Sequence, residues 1–156
     1  MKIYTSYFYQ IRNFPKNLVP LSTALSDPRY YHDFKHPRYY FVDKRGIVNG
    51  LRAEPFMPGI ECSGLCHGPN DCSGKAKTCT FLQTYYKQLC KLDINDIMFR
   101  FQDLGERLVA AGVLNVLPNF ALIVHEAPTN PCSERGPIQQ YFKNNGIIVQ
   151  EFEPNN

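Results

Sequence analysis

The chain has 156 residues, of which 44% are hydrophobic and 20% charged, and its formal net charge is +3. This composition is that of an ordinary globular domain and excludes a disordered chain. The small positive charge permits a nucleotide or nucleic-acid partner but lies far below that of dedicated nucleic-acid binders. No apolar run is as long as a membrane span, and the first residues have no apolar signal core. We therefore expect a cytoplasmic protein with no membrane partner.

The first part of the chain predicts two strands. Residues 2–8 alternate and are rich in aromatic and β-branched side chains, which favours a strand whose carboxyl end carries Ser6 and Tyr7. Residues 18–24 predict a second strand, although Pro20 cannot donate a ladder hydrogen bond. Residues 38–48 are expected to add a strand and a turn.

The tetrapeptide Pro-Arg-Tyr-Tyr occurs twice, at residues 28–31 and 37–40. Arginines interleaved with aromatic side chains suit phosphate contact and stacking on nucleic-acid bases. The alternative is that the tyrosines pack a loop onto the sheet while the arginines are solvated. Under the first interpretation Arg38 is a ligand-binding residue.

Residues 55–79 predict an irregular insertion rich in cysteine, glycine and proline. A loop of this length needs something to hold it, and its own apolar residues are few. Thiolates select zinc or an iron–sulfur cluster, and four complete a tetrahedral site. We therefore predict a structural zinc site whose ligands are Cys62, Cys66, Cys72 and Cys79. An iron–sulfur cluster on the same thiols and a metal-free loop are the alternatives, and His67 or Cys90 is an alternative fourth ligand.

The second half of the chain alternates helices with strands. Helices are predicted at residues 80–89 and at 94–111, the latter capped by Asp93 and ended by Gly112. Its core-facing stripe contains Ile97, Phe101, Leu104 and Leu108. Residues 120–124 predict a strand buried on both faces. A helix at residues 136–142, with Ser133 as its cap and Gly146 as its stop, and a strand at 147–152 complete the chain.

These elements predict an α/β fold, in which a small, mostly parallel, Rossmann-like sheet is flanked by helices. The whole chain, residues 1–156, forms one domain, and the cysteine-rich insertion lies within it.

A candidate site follows the buried strand, where Glu126, Cys132 and Arg135 precede a helix. Open α/β sheets bind ligands at this edge, and a helix N-terminus favours anions. In the functional interpretation Arg135 holds a phosphate, Glu126 acts as an acid or base, and Cys132 lines the pocket or is a nucleophile. In the structural interpretation Glu126 and Arg135 form an ion pair and Cys132 is a small buried residue.

The segment that carries Glu126, Pro128, Cys132 and Arg135 resembles the C-terminal signature of the domain-of-unknown-function family 488. In that family a strand is followed by Glu-x-Pro, by Cys-His-Arg and by an amphipathic helix. The present chain lacks the His and has one extra residue before the Arg. The segments MKIYTSYF (residues 1–8) and NLVPLS (residues 17–22) resemble the family's first two strands. The resemblance implies the fold and leaves the activity open.

Two functions follow from these observations. The first is that the protein acts on or binds a nucleotide or nucleic acid through an anion-binding pocket at the strand ends, formed by Arg135 with Ser6 and Tyr7. The alternative is a non-catalytic, metal-stabilised module that contacts nucleic acid or protein.

Overall fold

A parallel sheet of four strands forms the centre of the computed structural model, which describes residues 1–33, 35–36, 39–65 and 78–155. In spatial order the strands are β2 (Leu18–Ser22), β5 (Asn119–Val124), β1 (Ile3–Tyr7) and β6 (Gln150–Glu151). β5 pairs in parallel with both β1 and β2, and its residues 120–124 are almost fully buried. The predicted α/β fold and its central strand are therefore confirmed.

The two outer strands differ from their predictions in length. β2 ends at Ser22, and Pro20 is tolerated because β2 lies at the edge of the sheet, where one side needs no ladder donors. β6 is only two residues long, although residues 147–152 were predicted to be a strand. Ile148 is 69% exposed, which shows that the chain reaches the sheet only after this residue.

The three α-helices of the described residues pack on one face of the sheet. They are α1 (Thr80–Cys90), α2 (Ile94–Ala110) and α3 (Arg135–Asn144). The Asp93 carboxylate accepts hydrogen bonds from the amides of Asn95 and Asp96, which confirms the predicted cap of α2. Gly112 has a positive φ of 73°, a conformation that lets the chain leave the helix. No described helix is long and apolar enough to cross a bilayer.

On the other face of the sheet the described residues form no α-helix. The 3-10 segment Phe8–Asn13 belongs to this layer. The antiparallel pair β3 (Phe41–Val42) and β4 (Val48–Asn49) lies beside it: Ile47 joins this core, whereas Val48 joins the core of the helical side. The strands alternate between the two layers: Ala121 and Ile123 join the core beneath this cover, whereas Phe120 and Leu122 join the helical side. The sheet therefore has a regular helical face and an irregular face.

The beginning of the predicted insertion is part of the main core. Phe56, in the 3-10 turn Glu54–Phe56, is 1% exposed and stacks on Phe142 with ring centroids 5.7 Å apart. Its carbonyl accepts a hydrogen bond from the Tyr85 hydroxyl at 2.6 Å, and Gln88 bonds the backbone of Met57 and Gly59 at 2.7 Å. The expectation that this loop lacks its own packing is wrong for residues 54–62. Residues 66–77 lie outside the described part of the chain.

Candidate functional site

The carboxyl ends of β1 and β5 meet at one edge of the sheet. The parallel register pairs Ser6 with Ile123 and Tyr7 with Val124, so that both strands end together and Glu126 follows. Ser6 is fully buried, and its hydroxyl has no hydrogen-bond partner within the described residues. One carboxylate oxygen of Glu126 is likewise buried without a partner. The structure thus brings Ser6, Tyr7 and Glu126 to one edge, as predicted.

Arg135 is at the same edge, but its guanidinium is engaged within the protein. Nε donates to the Glu151 carboxylate at 2.6 Å, and Nη2 donates to the Glu126 carbonyl at 2.7 Å. The side chains of Arg135 and Glu151 are only 9% and 16% exposed. Arg135 therefore forms its ion pair with Glu151 of the last strand. The predicted ion pair between Glu126 and Arg135 does not form, and Glu126 contacts Arg135 through its backbone carbonyl instead.

Glu151 extends this ion pair into a network that joins three elements. Its Oε2 also accepts a hydrogen bond from the Thr5 hydroxyl of β1 at 2.7 Å. Gln139 of α3 donates to the same hydroxyl at 2.7 Å. These contacts connect β6 and α3 to β1, so Arg135 has a structural role. An anion that binds Arg135 would have to displace the Glu151 carboxylate.

The loop between β5 and α3 is held by short polar contacts. The Asn130 side chain accepts from the Cys132 amide at 2.9 Å, and the Ser133 hydroxyl accepts from the Arg135 amide at 3.2 Å. Ser133 thus caps the start of α3 as predicted, although the residue that directly precedes the helix is Glu134. Cys132 is half-buried beside this turn.

A second carboxyl group, Glu134, lies near Glu126. Burial raises the pKa of Glu134, and the negative charge of Glu126 raises it further, whereas His125 and Arg135 oppose the shift. Because its pKa is raised, Glu134 keeps its proton to a higher pH than an ordinary carboxyl group. A protonated carboxyl group beside a second carboxyl group can serve as a proton donor and acceptor pair. Sequence reasoning missed Glu134 because its burial depends on how the loop packs. His125, which directly precedes Glu126 in the sequence, packs on Phe8 on the other side of the sheet.

The raised pKa predicts that Glu134→Gln stabilises the protein at neutral pH. A folded-state pKa above the unfolded value means that the folded protein binds more protons, so the free energy of unfolding falls as pH rises from the ordinary carboxyl range through the folded-state pKa. Urea unfolding of the variant should show a gain at pH 7 that disappears at about pH 4. Glu106→Gln, on the solvent side of α2, is the control. A variant less stable than the wild type at pH 7 would contradict the assignment.

The predicted metal ligands are only partly within the described residues. Cys66, Cys72 and the alternative ligand His67 lie outside them. Cys62 is buried, which raises the pKa of its thiol, and its sulfur lies 3.7 Å from Gln88 Oε1. Cys79 directly precedes α1, and Gln88 lies near the other end of that helix. The rise along the helix from Cys79 to Gln88 is about 13 Å. Within the described residues no cluster of three or more His, Cys, Asp or Glu side chains is placed to hold a metal, so the zinc site stays a prediction.

Cys90, the alternative fourth ligand, lies at the other end of α1 from Cys79 and is exposed. Gln88, which contacts the Cys62 sulfur, is two residues from Cys90, so the choice between Cys79 and Cys90 as the fourth ligand stays open.

The end of β2 carries a polar cluster that sequence reasoning missed. The Asp27 carboxylate, 1% exposed, contacts His32 Nε2 at 2.6 Å and Arg52 Nε at 3.0 Å, and it accepts a short hydrogen bond from Ser22. These bonds tie residues 27–32 to the edge strand. No spacing in the sequence signals the cluster, because Arg52 comes from a separate segment.

A groove on the irregular face of the sheet is flanked by two exposed tyrosines, Tyr9 and Tyr30, which are 59% and 62% exposed. Its volume is about 360 Å³, and Phe8 and Ile11 form its apolar floor. Burial raises the pKa of Tyr30, and the nearby charge of Arg12 opposes the shift. Sequence reasoning identified Tyr30 through the repeated tetrapeptide but missed Tyr9.

Basic side chains line the same groove. The Arg12 guanidinium stacks on the Tyr9 ring, 3.5 Å from its centroid. Arg45 donates to the Arg12 carbonyl and to Asp43, at 3.1 Å for the latter, and the stem of Lys16 lies against Gly46. Two cations, Arg12 and Arg45, thus line the groove together with the tyrosines. The carboxylate of Asp43 is used by the turn that carries Arg45.

In the first Pro-Arg-Tyr-Tyr repeat one tyrosine packs on the sheet and the other is exposed at the surface. Tyr31 is fully buried and its hydroxyl donates to the carbonyls of Pro20 and Leu51, whereas the adjacent Tyr30 is exposed. In the second repeat Tyr39 and Tyr40 are exposed, and Arg38 lies outside the described residues. One tyrosine therefore packs the loop onto the sheet, and the others are available at the surface.

Comparison with protein-family models, with curated proteins and with solved structures found no match. The resemblance to family 488 therefore stays a prediction that depends on the motif residues given above.

Proposed function

We propose that the protein binds a nucleotide or single-stranded nucleic acid in the groove between Tyr9 and Tyr30. The observation that carries this proposal is the pair of exposed tyrosine rings beside two cations that line the same groove, Arg12 and Arg45. Exposed aromatic rings stack on unpaired bases, and cations along the same groove follow the phosphates. Double-stranded nucleic acid keeps its bases stacked inside the helix and cannot use these rings.

The groove replaces the strand end as the proposed anion contact. The buried guanidinium of Arg135 is satisfied by Glu151 and by the Glu126 carbonyl, so a phosphate there would compete with two internal hydrogen bonds. Arg12 and Arg45 lie at the surface, where a phosphate reaches them without displacing a buried partner. A four-cysteine zinc site and a cytoplasmic location stay part of the proposal.

Fluorescence anisotropy with labelled single-stranded oligonucleotides tests the proposal. Tyr30→Ala should weaken binding by about 5- to 150-fold, because stacking contributes about 1–3 kcal/mol per base. Arg12→Gln should lower the slope of log affinity against log salt by roughly one unit, as expected for the loss of one phosphate contact.

Matched variants on α2 control for the loss of exposed aromatic and basic side chains. Phe99 is 68% exposed and Arg107 is an exposed cation, and neither lines the groove. Phe99→Ala and Arg107→Gln should bind as the wild type does. Equal affinity of the wild type and Tyr30→Ala, or no binding of any oligonucleotide at low salt, would exclude the groove.

Catalysis on the bound nucleotide is the second candidate, favoured by the carboxyl groups of Glu126 and Glu134 at the sheet edge. An enzyme that uses Glu126 for proton transfer would lose turnover but keep binding in Glu126→Gln. The alternative, a non-catalytic interaction module, has no turnover to lose.

A further inference from the structure

A cavity of about 220 Å³ lies between the edge strand β2, the turn Glu54–Phe56 and the first half of α2. Its apolar lining includes Leu21, Phe56, Ile97 and Phe101, which are at most 5% exposed. The volume lies below the range of about 300–1,000 Å³ that accommodates drug-sized ligands. The cavity therefore suits a small molecule with an apolar part.

Two arginines form one side of the cavity mouth. Arg52 and Arg100 both line the cavity, and their side chains are 42% and 63% exposed, so they border its solvent-facing side. The Nε atom of each is fixed by a carboxylate, Asp27 at 3.0 Å and Asp96 at 2.9 Å. The buried Asp27 orients the Arg52 guanidinium, whose Nη2 also lies 3.4 Å from His32 Nε2, whereas the Arg100 pair is exposed. Both guanidinium groups keep further N–H donors for a ligand carboxylate.

An acidic residue, Glu54, lines the same mouth. It follows Arg52 by two residues, and the backbone between them is fixed to β2 because the Ala53 amide donates to the Ser22 carbonyl at 2.8 Å. The Glu54 side chain is exposed, and within the described residues no hydrogen bond or ion pair occupies its carboxylate. The mouth thus presents donors for a negative group and an acceptor for a positive group.

From this arrangement we infer that the cavity binds a free α-amino acid with an apolar side chain. The ligand carboxylate contacts Arg52 and Arg100, its ammonium group contacts Glu54, and its side chain fills the apolar lining. A purely anionic ligand would leave Glu54 as a like charge beside it, and a purely cationic one would face two arginines. A zwitterion complements both signs. This site is separate from the tyrosine groove, and either can be correct without the other.

Titration of the isotopically labelled protein with L-phenylalanine, followed by NMR, tests the inference. We expect shifts in the amides of residues 52–54, 56 and 97–104, with a Kd on the order of 0.1–1 mM for a ligand of this size. Phenylacetate lacks the ammonium group and phenethylamine lacks the carboxylate. Each should bind at least about fivefold more weakly, because one charged contact is lost.

Two variants assign the charged contacts, and each has a matched control on α2. Arg100→Gln should weaken L-phenylalanine and phenylacetate by about five- to tenfold and leave phenethylamine unchanged. Arg107→Gln removes an equivalent i,i+4 ion pair outside the cavity and should change nothing. Glu54→Gln should weaken L-phenylalanine and phenethylamine but not phenylacetate, and Glu106→Gln is its control.

Three results would overturn the inference. The first is the absence of shifts around the cavity at 20-fold the expected Kd. The second is equal binding of all three probes, which would indicate an unselective apolar cavity. The third is unchanged L-phenylalanine affinity in both Arg100→Gln and Glu54→Gln.

Discussion

Arg135→Met is expected to lower the free energy of unfolding by about 3–5 kcal/mol, the usual cost of breaking a buried ion pair by removing one partner. Among the described residues, the substitution leaves the Glu151 carboxylate, 16% exposed, with the Thr5 hydroxyl as its one remaining partner. It also removes the donor to the Glu126 carbonyl. Urea unfolding at pH 7 gives the measurement.

A double variant separates the ion pair from the packing of the Arg135 side chain. Arg135→Met combined with Glu151→Leu removes both charges and should recover much of the loss, since apolar replacement of a whole buried pair is often neutral. Arg107→Met, which breaks an exposed pair on α2, should cost at most about 1 kcal/mol. A cost below about 1 kcal/mol for Arg135→Met would return Arg135 to the group of candidate ligand-binding residues.

Phe56→Ala should destabilise the protein by about 3–5 kcal/mol, as expected when a buried aromatic side chain is truncated. The ring is 1% exposed, stacks on Phe142 and makes an edge contact with Tyr141 at 6.0 Å. Its removal leaves a cavity between the 54–62 segment and α3. Thermal and urea unfolding measure the change.

Phe99→Ala is the control for this truncation, because Phe99 is 68% exposed and its loss should cost less than about 0.5 kcal/mol. If the two variants were equally stable, the 54–62 segment would not be part of the core. The cysteine-rich insertion would then need its predicted metal for all of its order.

The helices and the central strand were predictable because their signals are local. Asp93 caps α2 through its own neighbours, and the apolar stripe of α2 needs only a period of 3.6 residues. The run at residues 120–124 is long, apolar and β-branched, which suffices for a strand buried on both faces. These features do not depend on the rest of the fold.

The partner of Arg135 was not predictable in the same way. Glu126 and Glu151 both follow or precede Arg135 closely enough in sequence to pair with it. Which of them does so depends on the register of β6 against β1, in which Thr5 lies opposite Glu151. Phe56 was missed because prolines and glycines around it indicate a loop. Tyr30 and Tyr31 are identical neighbours in sequence, and only the tertiary packing decides which of them is exposed.

The order of strands in the sheet has a consequence for how the chain acquires its fold. β1 and β2 share no ladder with each other, and both pair with β5, which begins only at Asn119. Their contacts therefore join residues about 100 or more positions apart, a high contact order that predicts slow folding. During synthesis the two N-terminal strands remain without their sheet partner until β5 has left the ribosome. A fragment that ends before Asn119 would contain no ladder of the parallel sheet.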